Sequence, residues 1–448
     1  MRLKFGLAAG LLALSAPSLA QDDGLRRAVA EDYRSNLAAL FDHFHRNPEL
    51  SGLEVRTAAR MASELRSLGY EVTEGVGGTG IVAVLRNGEG PTVMLRADMD
   101  GLPLEERSGL PYASTARQSD SSGTEQPVMH ACGHDVHITA LVGTARQMMA
   151  RRDRWAGTLI LIAQPAEETI SGARAMVQDG LYTRFPKPDY ALAFHVDADS
   201  PAGRINVPET IAYSSSDIVN IRVNGVGTHG AYPHQGVDPV LVASQIVVSL
   251  QSVVSREINP LEGRVITVGA IHGGVRGNII PEQVEMALTV RADTPEVRTE
   301  LLDGIDRVAR GTALALGVAE DRLPVVTRSA TETTPSTIND RETALRVRSA
   351  IAEAMGADRL IDNPRTGMGA EDFAYFIEPK HGVRGYYFDV GGTPRAKVDA
   401  AQAGGPALPS HHSPLFRIDP EPSVRLGAEA MTVAVLELLQ PGAAPAAD

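Results

Sequence analysis

Short apolar runs, each closed by a polar loop and alternating with amphipathic stretches, constrain this chain more than any other feature. Gly80 to Leu85, Thr92 to Leu95, Leu159 to Ala163 and Tyr190 to Phe194 are too short for core helices and too continuously apolar for half-exposed strands. Between two of them, Ile138, Leu141, Val142, Ala145 and Met148 mark one stripe of a helix from about Asp135 to Ala150. Strands buried on both faces and separated by helices predict an α/β fold: a mixed, mainly parallel sheet flanked by helices. In such sheets, sites form beyond the carboxyl ends of the strands. Upstream, residues 25–85 read as helix, loop, helix and strand. Leu37, Leu40, Phe41 and Phe44 recur at helical spacing, and a second helix from about Glu54 to Leu68 stops at Gly69.

From about Ser214 the order changes. Strand (Asp217–Val223), helix (Pro239–Val254), strand (Arg264–His272), strand (Gln283–Ala292), helix (Pro295–Leu316) and strand (Leu323–Ser329) follow in turn. That βαββαβ order predicts a ferredoxin-like α+β unit inserted into the larger domain. A Thr/Pro-rich segment from Ser329 to Thr337 reads as the linker back, and Gln118 to Thr124 as a polar loop insertion. At the N-terminus, Arg2 and Lys4 precede an apolar run from Phe5 to Leu14 and a Ser18-Leu19-Ala20 site. This is the pattern of a secretory signal peptide, and the run is too short to span a bilayer. The expected division is a signal peptide (1–20), a first catalytic part (21–213), an insert (214–329), a second catalytic part (330–440) and a disordered tail (441–448). The expected location is periplasmic or secreted, with no membrane anchor.

Composition narrows the function. Lys+Arg 42 against Asp+Glu 55 leaves a net charge of −13, which argues against a nucleic-acid partner. A single cysteine, Cys132, rules out a disulfide framework. Its neighbours supply another role. Metal-type donors concentrate at the expected strand ends: Arg96-Ala-Asp98-Met-Asp100, His130-Ala-Cys132-Gly-His134-Asp135-Val-His137, Gln164-Pro-Ala-Glu167-Glu168, Phe194-His195 and Ser410-His411-His412-Ser413. A metal centre needs donors that can lose protons, held on rigid elements from several parts of a chain. Cys132 and His134, two apart in a loop entering a helix, can enter one cavity, where the helix N-terminus and a cation would lower the thiol pKa. Of adjacent Glu167 and Glu168, one can bind metal while the other moves a proton. His137, one turn after His134, is expected behind the ligands. His43 and His45 on the N-terminal helix are expected to be structural.

The segments RADMDGLP (96–103), MHACGHDVH (129–137), QPAEE (164–168), GTHGAYPHQGVDP (227–239), GNIIP (277–281), MGAEDFAYF (368–376) and HSPLF (412–416) together resemble peptidase family M20. More narrowly they are similar to its amidohydrolase branch, with hippurate hydrolase, N-acyl-amino-acid aminoacylase and auxin-conjugate hydrolase relatives. The resemblance runs from about residue 35 to 438. It implies a zinc-exopeptidase-like catalytic domain with two divalent metal ions (Zn²⁺ or Mn²⁺, with Co²⁺ or Ni²⁺ also compatible) and a lid that pairs subunits into a homodimer or higher oligomer. It implies Cys132 as bridging ligand, with His134, Glu168, His195 and His412 as further ligands. Glu167 resembles the general base, and Asp100 the residue that orients a metal-binding neighbour. His229 resembles the residue that approaches the scissile carbonyl, from this chain or a partner subunit. Asn278 and Arg291 resemble contacts to a substrate carboxylate. Asp98 stands where other branches place a histidine.

Two segments depart from the pattern. A longer acidic loop from Asp197 to Asp199 replaces a nearby proline, leaving Asp197 to touch metal or reshape the pocket. Thr169-Ile170-Ser171 replaces a glycine-rich stretch and should narrow one wall. The expected reaction is metal-dependent hydrolysis of an N-acyl amino acid. Competing readings are an exported metallo-carboxypeptidase or dipeptidase, a non-metal Cys132 thiol hydrolase, and a binding protein that kept the fold.

Overall fold

Val93 and Leu95 leave one face of the strand Thr92–Asp98 and Met94 leaves the other, and all three are fully buried. The same alternation holds along Gly157–Gln164, where Leu159 and Leu161 enter one apolar core and Ile160 and Ile162 the other. A strand with two buried faces must lie between two layers of other structure. The computed structural model, which describes residues 23–440, has that arrangement; the expected signal peptide and tail lie outside the described residues. Its main sheet has eight strands in the order Glu71–Val76, Gly80–Asn87, Gly157–Gln164, Thr92–Asp98, Tyr190–Pro201, Arg384–Thr393, Ile205–Asn206 and Leu360–Ile361. The four central strands are mutually parallel; Gly80–Asn87 runs antiparallel to them, and the edge strand Glu71–Val76 runs antiparallel to Gly80–Asn87.

Helix His134–Ala150 lies against the strand Thr92–Asp98, and helix Pro420–Leu438 packs on that helix in turn. Residues from opposite ends of the chain therefore share one core, which closes the catalytic domain around the insert. Helix His134–Ala150 is buried along nearly its whole length, including His134, Asp135 and His137. Gly133 begins it with φ 87°, and a Cβ there would sit 2.3 Å from Val196 Cγ1. Only glycine fits that entry, which seats Cys132 and His134 beside the strand carrying His195.

The insert is a four-stranded antiparallel sheet in the order Arg264–Gly273, Gln283–Ala292, Ser216–Asn224 and Val325–Thr334. Helices Pro239–Ser252 and Pro295–Ala315 share its apolar core. This is the ferredoxin-like order expected for βαββαβ.

Two local expectations need correction. The Thr/Pro-rich segment is not a plain linker, because the last strand continues through Thr334, with Thr333 opposite Asp217 and Thr334 opposite Ser216. β-branched threonines favour the extended backbone. The Thr333 hydroxyl donates to Asp217, and Tyr375 donates to the Thr333 carbonyl, which fixes the segment to the catalytic domain. The polar stretch from Gln118 to Thr124 is the tip of a small hairpin, Arg117–Ser119 against Glu125–Pro127. Asp120 closes its turn by accepting from Ser122 and Thr124.

Candidate metal centre

The donors gather at the carboxyl ends of the parallel strands, and backbone geometry aims them there. His134 donates from Nδ1 to the Asp100 carbonyl oxygen at 2.9 Å, which leaves Nε2 as its free ligand atom. His195 donates from Nδ1 to the Val196 carbonyl at 2.7 Å, so its Nε2 faces Cys132 Sγ at 3.4 Å. Such hydrogen bonds fix the tautomer and raise the basicity of the remaining nitrogen. The Asp100 carboxylate accepts from the Glu168 backbone N–H at 3.0 Å and from Ser51 at 2.6 Å. Asp100 therefore touches both His134 and Glu168.

The same reasoning separates histidines that are close together. His137 Nε2 accepts the Val196 N–H at 2.9 Å, and its Nδ1 meets Asp98 at 2.6 Å. His411 Nε2 accepts the Ala198 N–H at 3.1 Å, so its proton sits on Nδ1, 3.7 Å from Cys132 Sγ. Both rings have both nitrogens committed. His412 differs: its Nε2 lies 3.2 Å from a Glu168 oxygen. The donor clusters include His411 and not His412, whose Nε2 is paired with Glu168.

Two buried polar atoms, His134 Nε2 and Glu168 Oε1, have no hydrogen-bond partner, and they lie 3.9 Å apart. Orphaned atoms of this kind call for an ion or water. Cys132 belongs both to a cluster with His134 and Glu168 and to one with His195 and His411, each with donor atoms within 4.8 Å of one another. A thiolate shared by two donor groups suits a bridging position. Burial pushes the Cys132 thiol well up, and Glu168 and Glu167 push it further, so ionising it there requires a cation. Burial alone would lower His134, yet Asp98 and Asp100 outweigh it and raise the ring to about 10. Thiolate, imidazole and carboxylate donors suit Zn²⁺ and related divalent metals, and the residues present fit such a pair of ions.

Behind the ligands lies a network that sequence reasoning passed over. Arg96 is fully buried; it donates to Gln164 at 2.7 Å, to Asp98 at 2.6 Å and to both oxygens of Glu371 at 2.7 and 3.2 Å. Glu371 also accepts from Tyr387, and Asp372 accepts from Gln164 and the Ala173 N–H. Burial alone would raise Asp98, but Arg96, His134 and His137 hold it well below the usual carboxylate range. The signal was an acidic pair, Glu371-Asp372, followed directly by an apolar run.

A cavity of about 540 Å³ opens over the donors. Cys132, Glu167, Glu168, His195 and His412 line it, as does Arg291. The Arg291 guanidinium is half-buried, bonds only Thr289, and has no salt bridge among the described residues. Asp197 lines the wall, its carboxylate taken by the Asp199 N–H and Ser200, and it belongs to none of the donor clusters. Two residues expected at the substrate do not line this chain's cavity. His229 and Asn278 stand together on an exposed lid hairpin, Thr228–His229 against Ile279–Ile280, and neither lines the cavity. His229 lies on a two-stranded element outside the insert's main sheet, and Asn278 directly precedes its second strand.

Fold and site define a metal-dependent hydrolase. Residues 94–403 match the model of "Peptidase family M20/M25/M40", and the chain belongs to that family. It is 35% identical over 350 residues to the hippurate hydrolase of Campylobacter jejuni, covering 78% of this chain and 87% of that protein. It is 33% identical over 396 residues to thermostable carboxypeptidase 2 of Saccharolobus solfataricus, covering 86% and 91%. A solved Bacillus subtilis structure, described as a dinuclear metal-binding peptidase of the M20 family, superposes with a TM-score of 0.73 at 27% identity, covering 91% of this chain and 99% of that one.

Proposed function

We propose that the chain hydrolyses the amide bond joining an acyl group to an amino acid that carries a free carboxylate. The observation that carries this reading is Arg291, an unpaired, half-buried guanidinium on the wall of the cavity that holds Glu167 and the donor cluster. A guanidinium receives a carboxylate through two parallel hydrogen bonds. The likeness to a hippurate hydrolase supports the same substrate class.

Cys132, His134, Glu168, His195 and His412 would hold the two ions, with Cys132 between them. When bound, the ions supply Lewis acidity, making water acidic enough to ionise near neutral pH and polarising the amide carbonyl. Glu167 then takes the water's proton and passes it to the leaving amine nitrogen. Burial, followed by Glu371 and Glu168, pushes the Glu167 carboxyl well up, which suits a group that must carry a proton between two partners. Asp100 holds His134 and Glu168 in place, and Arg291 anchors the substrate carboxylate.

His229 and Asn278 act in this reading from a second copy of the chain, reaching the carbonyl oxygen and the substrate carboxylate. Exposed Leu241, Val248 and Ile271 on the lid supply an apolar face for such a homodimer. Zn²⁺ or Mn²⁺ is the proposed metal, with Co²⁺ or Ni²⁺ as substitutes, and export the proposed destination.

The second reading, a carboxypeptidase or dipeptidase, is favoured by the same Arg291, because a peptide's C-terminal carboxylate also fits it, and by the likeness to a carboxypeptidase. A panel of N-acyl amino acids and dipeptides on metal-reconstituted protein, scored by released amine, separates them. Cleavage of N-benzoylglycine or N-acetyl amino acids at least tenfold above any dipeptide is expected. The reverse order would replace the amidohydrolase reading with the peptidase one.

A further inference from the structure

Three described residues other than glycine hold a left-handed backbone: Ala166 (φ 51°), Ile170 (φ 53°) and His412 (φ 62°). All three lie in the two loops that supply Glu167, Glu168 and His412. Ala166 directly precedes Glu167, and His412 is a ligand in the proposed reading, so their conformations accompany the delivery of those side chains. Ile170 delivers no ligand. A β-branched side chain is the most costly type in this region, whereas glycine enters it without a clash.

The turn itself does not need isoleucine. The Ile170 N–H bonds the Glu167 carbonyl at 2.6 Å, and the Ser171 and Gly172 N–H groups both bond the Ala166 carbonyl at 3.2 Å. These are backbone contacts that glycine would make equally well. A strained residue at a site is kept where the surroundings or the function require its side chain. The Ile170 side chain is half-buried and lines the metal cavity, where it is the one branched aliphatic group. The other lining side chains are charged, polar or aromatic, or are as small as alanine and glycine.

We propose that Ile170 is a specificity-determining residue whose side chain limits the bulk of the substrate's acyl group. The inference rests on the amidohydrolase reading. In that reading Arg291 takes the carboxylate and the scissile carbonyl lies at the donors beside Glu167. The acyl group is the uncharged remainder, and a charged group set against an isoleucine would lose hydration without a partner. Ile170 follows Glu167 by three positions on the same loop, and both line the cavity.

The test compares wild type, Ile170→Ala and Ile170→Gly as holoenzymes. The kcat/KM ratio for N-benzoylglycine over N-acetylglycine should rise about tenfold in Ile170→Gly. Ile170→Gly should also melt above Ile170→Ala, since both lack the side chain and only alanine keeps the left-handed cost. An unchanged ratio in the active variants, or Ile170→Ala melting above Ile170→Gly, would overturn the proposal. Should Ile170→Gly fail to fold, the ratio in Ile170→Ala decides. Should all three proteins cleave dipeptides and no acyl amino acid, the amidohydrolase reading falls. The wall is then read on glycyl and phenylalanyl dipeptides, where an unchanged preference overturns it.

Discussion

Glu167→Gln will bind its metal ions as wild type does and lose about 10²–10⁴-fold in kcat, the range for removing a positioned proton carrier. Glutamine keeps the volume and a carbonyl oxygen, so the cavity and its donors stay in place. It cannot accept the water's proton or deliver one to the leaving nitrogen. Glu167 belongs to a donor cluster with Asp98 and His134, and its Oε2 lies 4.0 Å from His134 Nε2. Metal content measured beside turnover therefore decides between base and ligand. Full metal with lost turnover supports the base. Loss of one ion per chain would make Glu167 a ligand, and near-full activity would remove it from the mechanism.

Arg96→Met will cost about 3–5 kcal/mol of stability, the range for removing one partner of a buried ionic group. The side chain is fully buried, and it is the guanidinium facing Asp98, Glu371 and Asp372. Methionine fills the volume but removes the guanidinium from three buried acidic groups, with only His134 and His137 left to support Asp98. Arg96→Lys restores charge but not the fork that reaches both Glu371 oxygens, so it should recover only part of the loss. Urea unfolding of the metal-free proteins at neutral pH measures both. Asp98 adds a pH dependence: its folded pKa is depressed, so its share is present above the ordinary carboxylate range and lost as pH falls below it. A cost below about 1 kcal/mol for Arg96→Met would mean the network does not hold the two halves of the domain together.

Much of this was legible in the sequence, and what was not has physical reasons. Continuous apolar runs at Thr92–Leu95 and Leu159–Ala163 can be satisfied only between two layers, so the sheet followed from them. That Cys132, His134, Glu167, Glu168 and His195 gather in one place was legible because chemistry limits which residue types can serve a metal site. The hydrogen bonding of His411 was not. It depends on which backbone N–H the ring meets, and Ala198, which occupies His411 Nε2, lies 213 positions away. Arg96 and Glu371 are 275 positions apart, and no local pattern announces their pairing. Thr331 to Thr334 read as linker because the proline after them masked a β-branched run. The strain at Ile170 is a property of φ, which the residue name does not reveal.

In the proposed reading a pair of metal ions held by Cys132 and its neighbours is required for the hydrolysis. The direct measurement is metal content per chain and N-acyl amino acid hydrolysis, followed together through exhaustive dialysis against EDTA and then through titration with Zn²⁺ or Mn²⁺. Activity should fall with the metal and return as two ions per chain are restored, and Cys132→Ser should recover neither fully. Unchanged hydrolysis by protein stripped of metal would contradict that reading.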